Sequence, residues 1–117
     1  MSAAATDFLF YETHQGHGLA HDPFKAIVAP RPIGWISTLD KNGVVNLAPY
    51  SFYNALCDTP PIVGFSSTGR KDSIRNIEAT GEFVANFVSK SLAVAMNTTS
   101  AAVPADVDEM ALAGLTP

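Results

Sequence analysis

The spacing of apolar and polar residues between positions 33 and 47 predicts a β-hairpin. Residues 33–39, IGWISTL, are rich in the β-branched and aromatic side chains that favour a strand. The next four residues, DKNG, contain Asn-Gly, which is a strong short-range signal for a hairpin turn. Residues 44–47 would return as the second strand, and Pro49, which has no N–H to donate, is expected to interrupt it. The same criteria predict further strands at residues 50–56, 62–66 and 82–88.

One helix is marked clearly by its ends. Asp72 has a carboxylate that can accept hydrogen bonds from the first turn, so it is predicted to be the N-cap. Ile74 and Ile77 follow at helical spacing, and Gly81 is a natural residue to end the helix. Two further short helices are predicted downstream, at residues 92–102 and 106–115.

The order of these elements favours a mostly β fold with short helices. Strands and helices do not alternate regularly, which argues against a doubly wound α/β fold. Short strands broken by proline and glycine are typical of a small antiparallel barrel. Four or five strands are too few to close a barrel, and they would leave an open edge with which another chain can pair. Either a partner supplies the missing strands or the sequence is the front part of a longer protein.

Composition and charge exclude several classes of function. With 117 residues, the chain has room for one domain. Its net charge of −4, with 7 Lys and Arg against 11 Asp and Glu, argues against a nucleic-acid-binding protein. No apolar stretch approaches the roughly 18 residues that a membrane helix needs, and the start of the sequence lacks the features of a signal peptide. We therefore expect a cytoplasmic protein with neither nucleic-acid nor membrane partners.

Residues 1–22 are predicted to be an N-terminal arm that carries three histidines. On a helix, His14, His17 and His21 would share one face and could bind zinc. Two glycines among them disfavour such a helix, so loop histidines are the favoured interpretation and no metal site is predicted.

The segment SSTGRKDS, residues 66–73, combines hydroxyl groups with two adjacent cations. It lies between a predicted strand and the start of the predicted helix, where unpaired N–H groups and the helix dipole favour an anion. Arg70 and Lys71 would suit a phosphate dianion, and Gly69 would let the backbone approach it closely. The residues alone leave a second interpretation open, in which this is an ordinary helix start with solvated basic side chains.

The segment NLAPYSFYNAL, residues 46–56, offers a second set of candidate binding groups. Asn46, Ser51 and Asn54 can form hydrogen bonds, and aromatic side chains lie between them. Apolar walls with a few fixed polar groups suit a planar heterocycle. A half-buried strand with aromatic core residues explains the same pattern and is the favoured interpretation of this segment by itself. The sequence shows no familiar motif for acid–base, nucleophilic or metal catalysis.

Three longer segments together resemble one protein family. They are HDPFKAIVAPRPIGWISTLDKNGVVNLAPYSFYNAL, PPIVGFSS and GRKDSIRNIEATGEFVANFVS, and they are similar to the flavin reductase-like proteins with an FMN-binding split barrel. The resemblance extends over about residues 11–117. It implies that residues 23–117 form the flavin reductase-like domain, as the N-terminal part of an antiparallel split β-barrel.

The resemblance implies a homodimer with FMN bound at the interface. It also implies an oxidoreductase that uses NAD(P)H as co-substrate and passes electrons through the flavin to a small acceptor or to a partner monooxygenase. Because the flavin would carry the hydride chemistry, the absence of an acid–base motif is accounted for. Two alternatives stay open: an FMN-binding module or electron carrier without nicotinamide activity, and an inactive fragment that only dimerises.

The resemblance also assigns roles to individual residues. The phosphate of FMN would be held by Ser66, Ser67, Arg70, Lys71 and Ser73. Asp72 would cap the helix and orient Lys71. The isoalloxazine ring or the ribityl chain would lie near Trp35, Ser37 and Thr38. The flavin would be lined, partly by backbone groups, by Asn46, Ala48, Pro49, Tyr50 and Ser51.

Overall fold

The computed structural model describes residues 8–117, which form mostly strands with short helices. The strands are β1 (Gly34–Leu39), β2 (Val45–Tyr50), β3 (Tyr53–Cys57), β4 (Ile62–Phe65) and β5 (Val84–Asn86). The α-helices are α1 (Phe24–Ile27), α2 (Asp72–Thr80), α3 (Ala93–Thr98) and α4 (Glu109–Leu112), with 3₁₀ turns at Thr13–Gln15 and Lys90–Leu92. In the part of the chain so described, no helix is long and apolar enough to cross a membrane.

The chain divides after Pro30 into two compact units. In its described part, the first unit has little regular structure beyond the turn at Thr13–Gln15 and helix α1. Residues 1–7 of the predicted arm lie outside the described residues, and the predicted domain boundary after residue 22 stays a prediction.

The second unit contains two antiparallel sheets. In the three-stranded sheet, β1 lies between β2 and β5, and its Ile36 is opposite Ala48 on one side and Ala85 on the other. Strands β3 and β4 form a separate two-stranded sheet, with an irregularity in the pairing between Ala55 and Cys57. The prediction of a mostly β fold with short helices is confirmed.

The predicted hairpin between β1 and β2 is confirmed. Asp40 organises its turn, because its carboxylate accepts hydrogen bonds from the N–H groups of Asn42 (2.7 Å) and Val44 (2.9 Å). Gly43 has a φ of +83°, a conformation that glycine adopts without steric cost. The turn is therefore stabilised by local interactions, which the sequence of residues 40–43 indicates.

Several predicted boundaries are wrong. Pro49 does not interrupt the second strand but lies within β2, opposite Trp35. Because β2 is at the edge of its sheet, a residue without an N–H can be accommodated there.

Other predicted elements are shorter in the structure. The predicted strand 50–56 starts only at β3, and the predicted strand 82–88 is reduced to β5. The predicted helices 92–102 and 106–115 are reduced to α3 and α4. A strand extends only as far as its neighbour pairs with it, and β5 pairs with three residues of β1.

Helix α2 has the predicted end but not the predicted start. Gly81 follows it with a φ of +78° and donates its N–H to the carbonyl of Ile77 (2.7 Å). The N-cap residue is Lys71 and not Asp72, and among the described residues the Lys71 side chain makes no capping bond. Asp72 is the first helical residue, and its carboxylate lies 3.4 Å from the Arg75 guanidinium. Its charge still lies in the first turn, where the helix dipole favours an anion.

We expect Gly81→Ala to lower the free energy of unfolding by about 1 kcal/mol, because alanine is strained at this positive φ. Urea unfolding followed by circular dichroism would measure the loss. Glu82→Ala, at the next and exposed position, serves as the control and should change the free energy of unfolding by less than about 0.5 kcal/mol. Equal losses of unfolding free energy in the two variants would contradict a specific requirement for glycine at position 81.

The core of the second unit lies on β1 and β2. Its buried apolar side chains, among the described residues, are Trp35, Ile36, Leu47 and Tyr50. Helix α2 packs on both strands, and α4 packs on β2. The ring centroid of Phe65 lies 4.7 Å from that of Tyr50, which joins β4 to this core. Buried polar side chains accompany the core at Thr38, Asn46, Ser73, Thr99 and Glu109.

The sheets leave apolar side chains in solvent away from this core. Leu56 on β3 is 69% exposed, and Phe87, just after β5, is 88% exposed. Ile62 and Val63 on β4 are exposed as well. Apolar surface on short strands with unpaired edges is typical of a surface that another chain or segment covers.

Candidate functional site

A pocket of about 760 Å³ lies between β2, the start of α2 and the C-terminal part of the chain. Strand β2 forms one wall, and the first turn of α2 with the two residues before it forms another. Residues of the segment 99–105, together with α4, complete the lining. Its volume is in the range of pockets that hold small organic ligands.

Three cations line this pocket, and their partners differ. Arg70 forms an ion pair with Glu78, and Arg75 forms one with Asp72 (3.4 Å). Lys71 has no carboxylate partner among the described residues, and its ammonium lies 5.9 Å from the ring centroid of a tyrosine on β2. Lys71 therefore has the positive charge that is most available to an anion in this pocket.

A buried hydrogen bond joins the two polar walls. The side-chain N–H of Asn46 on β2 donates to the hydroxyl of Ser73 on α2, at 2.9 Å. Ser73 is 1% exposed and Asn46 is 7% exposed, so water does not compete for this bond. The bond fixes the first turn of α2 against strand β2.

A second buried bond fixes the segment 99–105. The indole N–H of Trp35 donates to the Thr99 hydroxyl at 2.9 Å, and that hydroxyl donates to the carbonyl of Met96 at 2.7 Å. Thr99 is 2% exposed. Trp35 thus holds one side of the pocket in place from the core of the sheet, although it does not line the pocket itself.

The third link between the walls is Glu109. The residue is 5% exposed, and its carboxylate accepts a hydrogen bond from the N–H of Leu47 at 3.2 Å, which ties α4 to β2. Burial raises the pKa of the Glu109 carboxyl, whereas hydrogen bonds from its own N–H and from that of Leu47 oppose the rise. The nearby carboxylates of Asp72 and Asp108 add to the increase in this pKa.

Tyr50 contributes a buried hydroxyl group. Its side chain lines the pocket and is 6% exposed. Within the described residues, its hydroxyl is buried without a hydrogen-bond partner. A buried polar group of this kind is uncommon in proteins, because each one costs the free energy of its lost hydration.

The structure brings eight of the predicted site residues together around the pocket. These are Asn46, Ala48, Pro49, Tyr50, Arg70, Lys71, Asp72 and Ser73. They come from the two segments, 46–56 and 66–73, that the sequence indicated separately. Asp72 does not have the predicted capping role, and its ion pair is with Arg75 and not with Lys71. The roles of the other residues in binding a cofactor stay predictions.

The remaining predicted site residues do not line the pocket: Trp35, Ser37, Thr38, Ser51, Ser66 and Ser67. Most of them bond within the fold. Ser37 and Thr38 accept hydrogen bonds from Asn86 (3.1 Å) and Asn76 (3.0 Å), and Ser67 donates to the carbonyl of Gly69 (3.0 Å). Ser51 accepts a bond of 3.4 Å from the guanidinium of Arg31.

Several pocket residues were not predicted from the sequence. They include Arg75, Thr99, Ser100 and Glu109. Arg75 follows Asp72 at helical i, i+3 spacing, which is a signal that the sequence does contain. Thr99 and Glu109 reach the pocket only through tertiary contacts with Trp35 and Leu47, so no local pattern indicates them.

Comparison with known proteins assigns the chain to a family. Residues 28–117 match the flavin reductase like domain. The chain belongs to the flavin reductase-like family. Membership of this family implies a flavin cofactor, and the predicted resemblance is confirmed.

This flavin reductase-like chain is similar to other proteins in sequence and, for the solved structures, in fold. An uncharacterized protein from Aquifex aeolicus is 44% identical over 96 residues, which are 78% of this chain and 49% of that protein. Nitrilotriacetate monooxygenase component B from Bacillus cereus is 32% identical, with a TM-score of 0.81 over 94% of this chain and 57% of that one. A Shewanella frigidimarina protein with a split barrel domain, assigned as a flavin reductase, is 31% identical, with a TM-score of 0.70 over 74% and 44% of the two chains. The predicted split-barrel fold is confirmed.

The chain spans about half the length of the curated relatives that it matches. It also covers only part of each of the two structural neighbours. The comparisons therefore establish the family and the fold of this part, whereas substrates, partners and activity of the whole protein are matters for proposal.

Proposed function

We propose that this chain binds FMN and belongs to an oxidoreductase of the flavin reductase type. The enzyme would take electrons from NAD(P)H and pass them through the flavin to a small acceptor or to a partner protein. The observation that carries this proposal is the pocket at the start of α2, where Lys71 has no carboxylate partner among the described residues. Phosphate groups bind well at such helix starts, because N–H groups and a cation face the same anion.

The residues of the pocket fit a phosphorylated flavin. Tyr50 has a buried hydroxyl without a partner among the described residues, and a flavin carbonyl, ring nitrogen or ribityl hydroxyl could satisfy it. Ala48 and Pro49 offer apolar surface next to Tyr50, as a planar ring system requires. The phosphate grip would include Arg70, Lys71 and Ser73, while Ser66 and Ser67 belong to the same proposed loop on sequence grounds alone.

The protein residues would bind and orient the cofactor in this site. When bound, the flavin supplies the hydride and electron transfer, for which the chain needs no acid–base motif of its own. The bond between Asn46 and Ser73 holds the helix start against β2, and the bond between Trp35 and Thr99 holds the facing segment. These contacts keep the phosphate donors and the ring-binding surface at a fixed separation, which is the positioning that such chemistry depends on.

The proposal includes a homodimer with the flavin near the interface. The exposed apolar side chains of β3, β4 and the end of β5 would be covered by a second copy or by further strands of a longer chain. The Bacillus cereus neighbour is, by its name, a component of a monooxygenase, which supports a monooxygenase as the electron-accepting partner.

Absorbance of the purified protein tests this proposal. We expect the yellow colour of bound flavin, retained after removal of free ligand, and we expect NADH or NADPH to bleach it in the absence of oxygen. Colour that neither nucleotide bleaches would favour an electron carrier without nicotinamide activity. A folded protein that stays colourless in excess FMN would show that the cofactor assignment is wrong.

A further inference from the structure

Glu109 is a buried carboxylate in the wall of a pocket to which we assign an anionic ligand. Its side chain lines the pocket, is 5% exposed, and is held at 3.2 Å by the N–H of Leu47. The donors assigned to the phosphate, Lys71 and Ser73, line the same pocket. An ionised carboxylate near a bound phosphate is unfavourable, since like charges repel and the burial of Glu109 limits screening by water.

We propose that FMN enters this pocket together with a proton, which the Glu109 carboxylate takes up. This inference rests on the proposed FMN site and goes beyond it, because it gives Glu109 a role that the resemblance did not assign. A neutral Glu109 can keep its link to β2, since the carbonyl oxygen of a carboxylic acid still accepts from the Leu47 N–H. Protonation therefore removes the repulsion without detaching α4 from the sheet.

The groups around Glu109 partly balance its neutral and ionised forms, so one further negative charge nearby can shift the carboxyl toward the neutral form. Burial and the carboxylates of Asp72 and Asp108 already favour the neutral form, and two N–H groups favour the ionised form. The other charged or titratable side chains lining the pocket are Arg70, Lys71 and Arg75 before and on α2, and Tyr50 on β2. The charges of Arg70 and Arg75 are already balanced by those of Glu78 and Asp72. A phosphate dianion therefore adds two negative charges to the pocket, and Lys71 offsets only one of them.

The sign of the pH dependence follows from linkage. A bound phosphate raises the pKa of Glu109 above its value in the free protein, so binding takes up a proton between these two pKa values. The contribution of Glu109 to affinity is fully present below the lower pKa and is lost as pH rises through the higher one. In that interval, FMN affinity falls by up to about tenfold per pH unit.

Isothermal titration calorimetry can count this proton. FMN would be titrated into wild type and Glu109→Gln from about pH 5 to about pH 8, each in two buffers of different ionisation enthalpy. The phosphate of FMN titrates near pH 6 in all variants, so the difference between the two proteins isolates Glu109. We expect wild type to take up an excess of as much as one proton, and Glu109→Gln to bind FMN more tightly than wild type at the high end of this range.

Two controls separate the charge of Glu109 from other effects. Glu82→Gln removes an exposed carboxylate outside the pocket and should behave like wild type at every pH. Riboflavin, which lacks the phosphate, should bind to wild type without the excess proton uptake. An infrared difference spectrum of wild type with and without FMN should show a protonated carboxylic acid appear, and it requires no variant that has to fold.

The outcomes distinguish this inference from the proposed function. Equal proton uptake in wild type and Glu109→Gln, or no new carboxylic acid band when FMN binds to wild type, would overturn the role of Glu109 while leaving FMN binding intact. A folded wild-type protein that gives no binding heat or spectral change with FMN would instead remove the proposed site, and the inference with it.

Discussion

Replacing Arg70 and Lys71 together with alanine is expected to weaken FMN binding by about 2–4 kcal/mol, which is roughly 30- to 1,000-fold in Kd. Each charge-assisted contact to a phosphate contributes about 1–2 kcal/mol when its partner is removed. The two side chains line the pocket directly before the first turn of α2, where the helix dipole favours an anion. Quenching of flavin fluorescence during titration with protein would measure the Kd.

The two single variants should not contribute equally to this loss. Arg70 is 68% exposed and already paired with Glu78, so its contact with a ligand competes with water and with an existing ion pair. Lys71 has no carboxylate partner among the described residues, so Lys71→Ala should account for the larger part. Lys41→Ala, at an exposed turn position, is the control and should leave the Kd unchanged. If the double variant binds FMN as tightly as wild type, the phosphate is held elsewhere.

The elements that could be predicted from the sequence are those that local interactions determine. The hairpin turn depends on Asp40 and Gly43, which act on neighbours within four residues. The end of α2 depends on Gly81, whose positive φ few other residues accept. The start of α2 was misplaced by one residue, because a carboxylate is favourable both at the N-cap and in the first turn.

The elements that were mispredicted depend on which strands become neighbours. A proline would interrupt a central strand, but Pro49 is tolerated in β2 because β2 is at the edge of its sheet, which only the sheet order shows. The length of β5 is likewise set by its pairing with β1 and not by its own apolar residues. The sequence pattern indicates which side chains lie on each face of a strand, whereas the first and last residues of the strand depend on the neighbouring strand with which it pairs.

The candidate site was predictable where it lies on contiguous sequence. The composition of the segment before α2 indicates either an anion site or an ordinary helix start, and the structure places its Arg70 and Lys71 in the lining of the pocket. Thr99 and Glu109 reach the same pocket through bonds to Trp35 and Leu47, which are distant in sequence. Ser37 and Thr38 illustrate the opposite error, since hydroxyls that look available on a strand are bonded within the fold.

Replacing Ile36 with alanine is expected to lower the free energy of unfolding by about 2–5 kcal/mol. Ile36 is fully buried in the central strand of the sheet, where smaller side chains, Ala48 and Ala85, are opposite it on both neighbours. Removal of its side chain leaves a cavity that these alanines cannot fill, and a typical domain is stable by only about 5–15 kcal/mol. Urea unfolding followed by circular dichroism would measure the loss.

The same strand offers a matched control for this cavity effect. Leu39 ends β1 and is 44% exposed, so Leu39→Ala should cost less than about 1 kcal/mol, whereas Ile36→Val should cost about 0.5–1.5 kcal/mol. Because Ile36 does not line the pocket, the folded fraction of Ile36→Ala should keep the wild-type Kd for FMN. Losses of similar size at Ile36 and Leu39 would contradict a core centred on β1, and a weakened Kd in folded Ile36→Ala would show that the central strand also shapes the pocket.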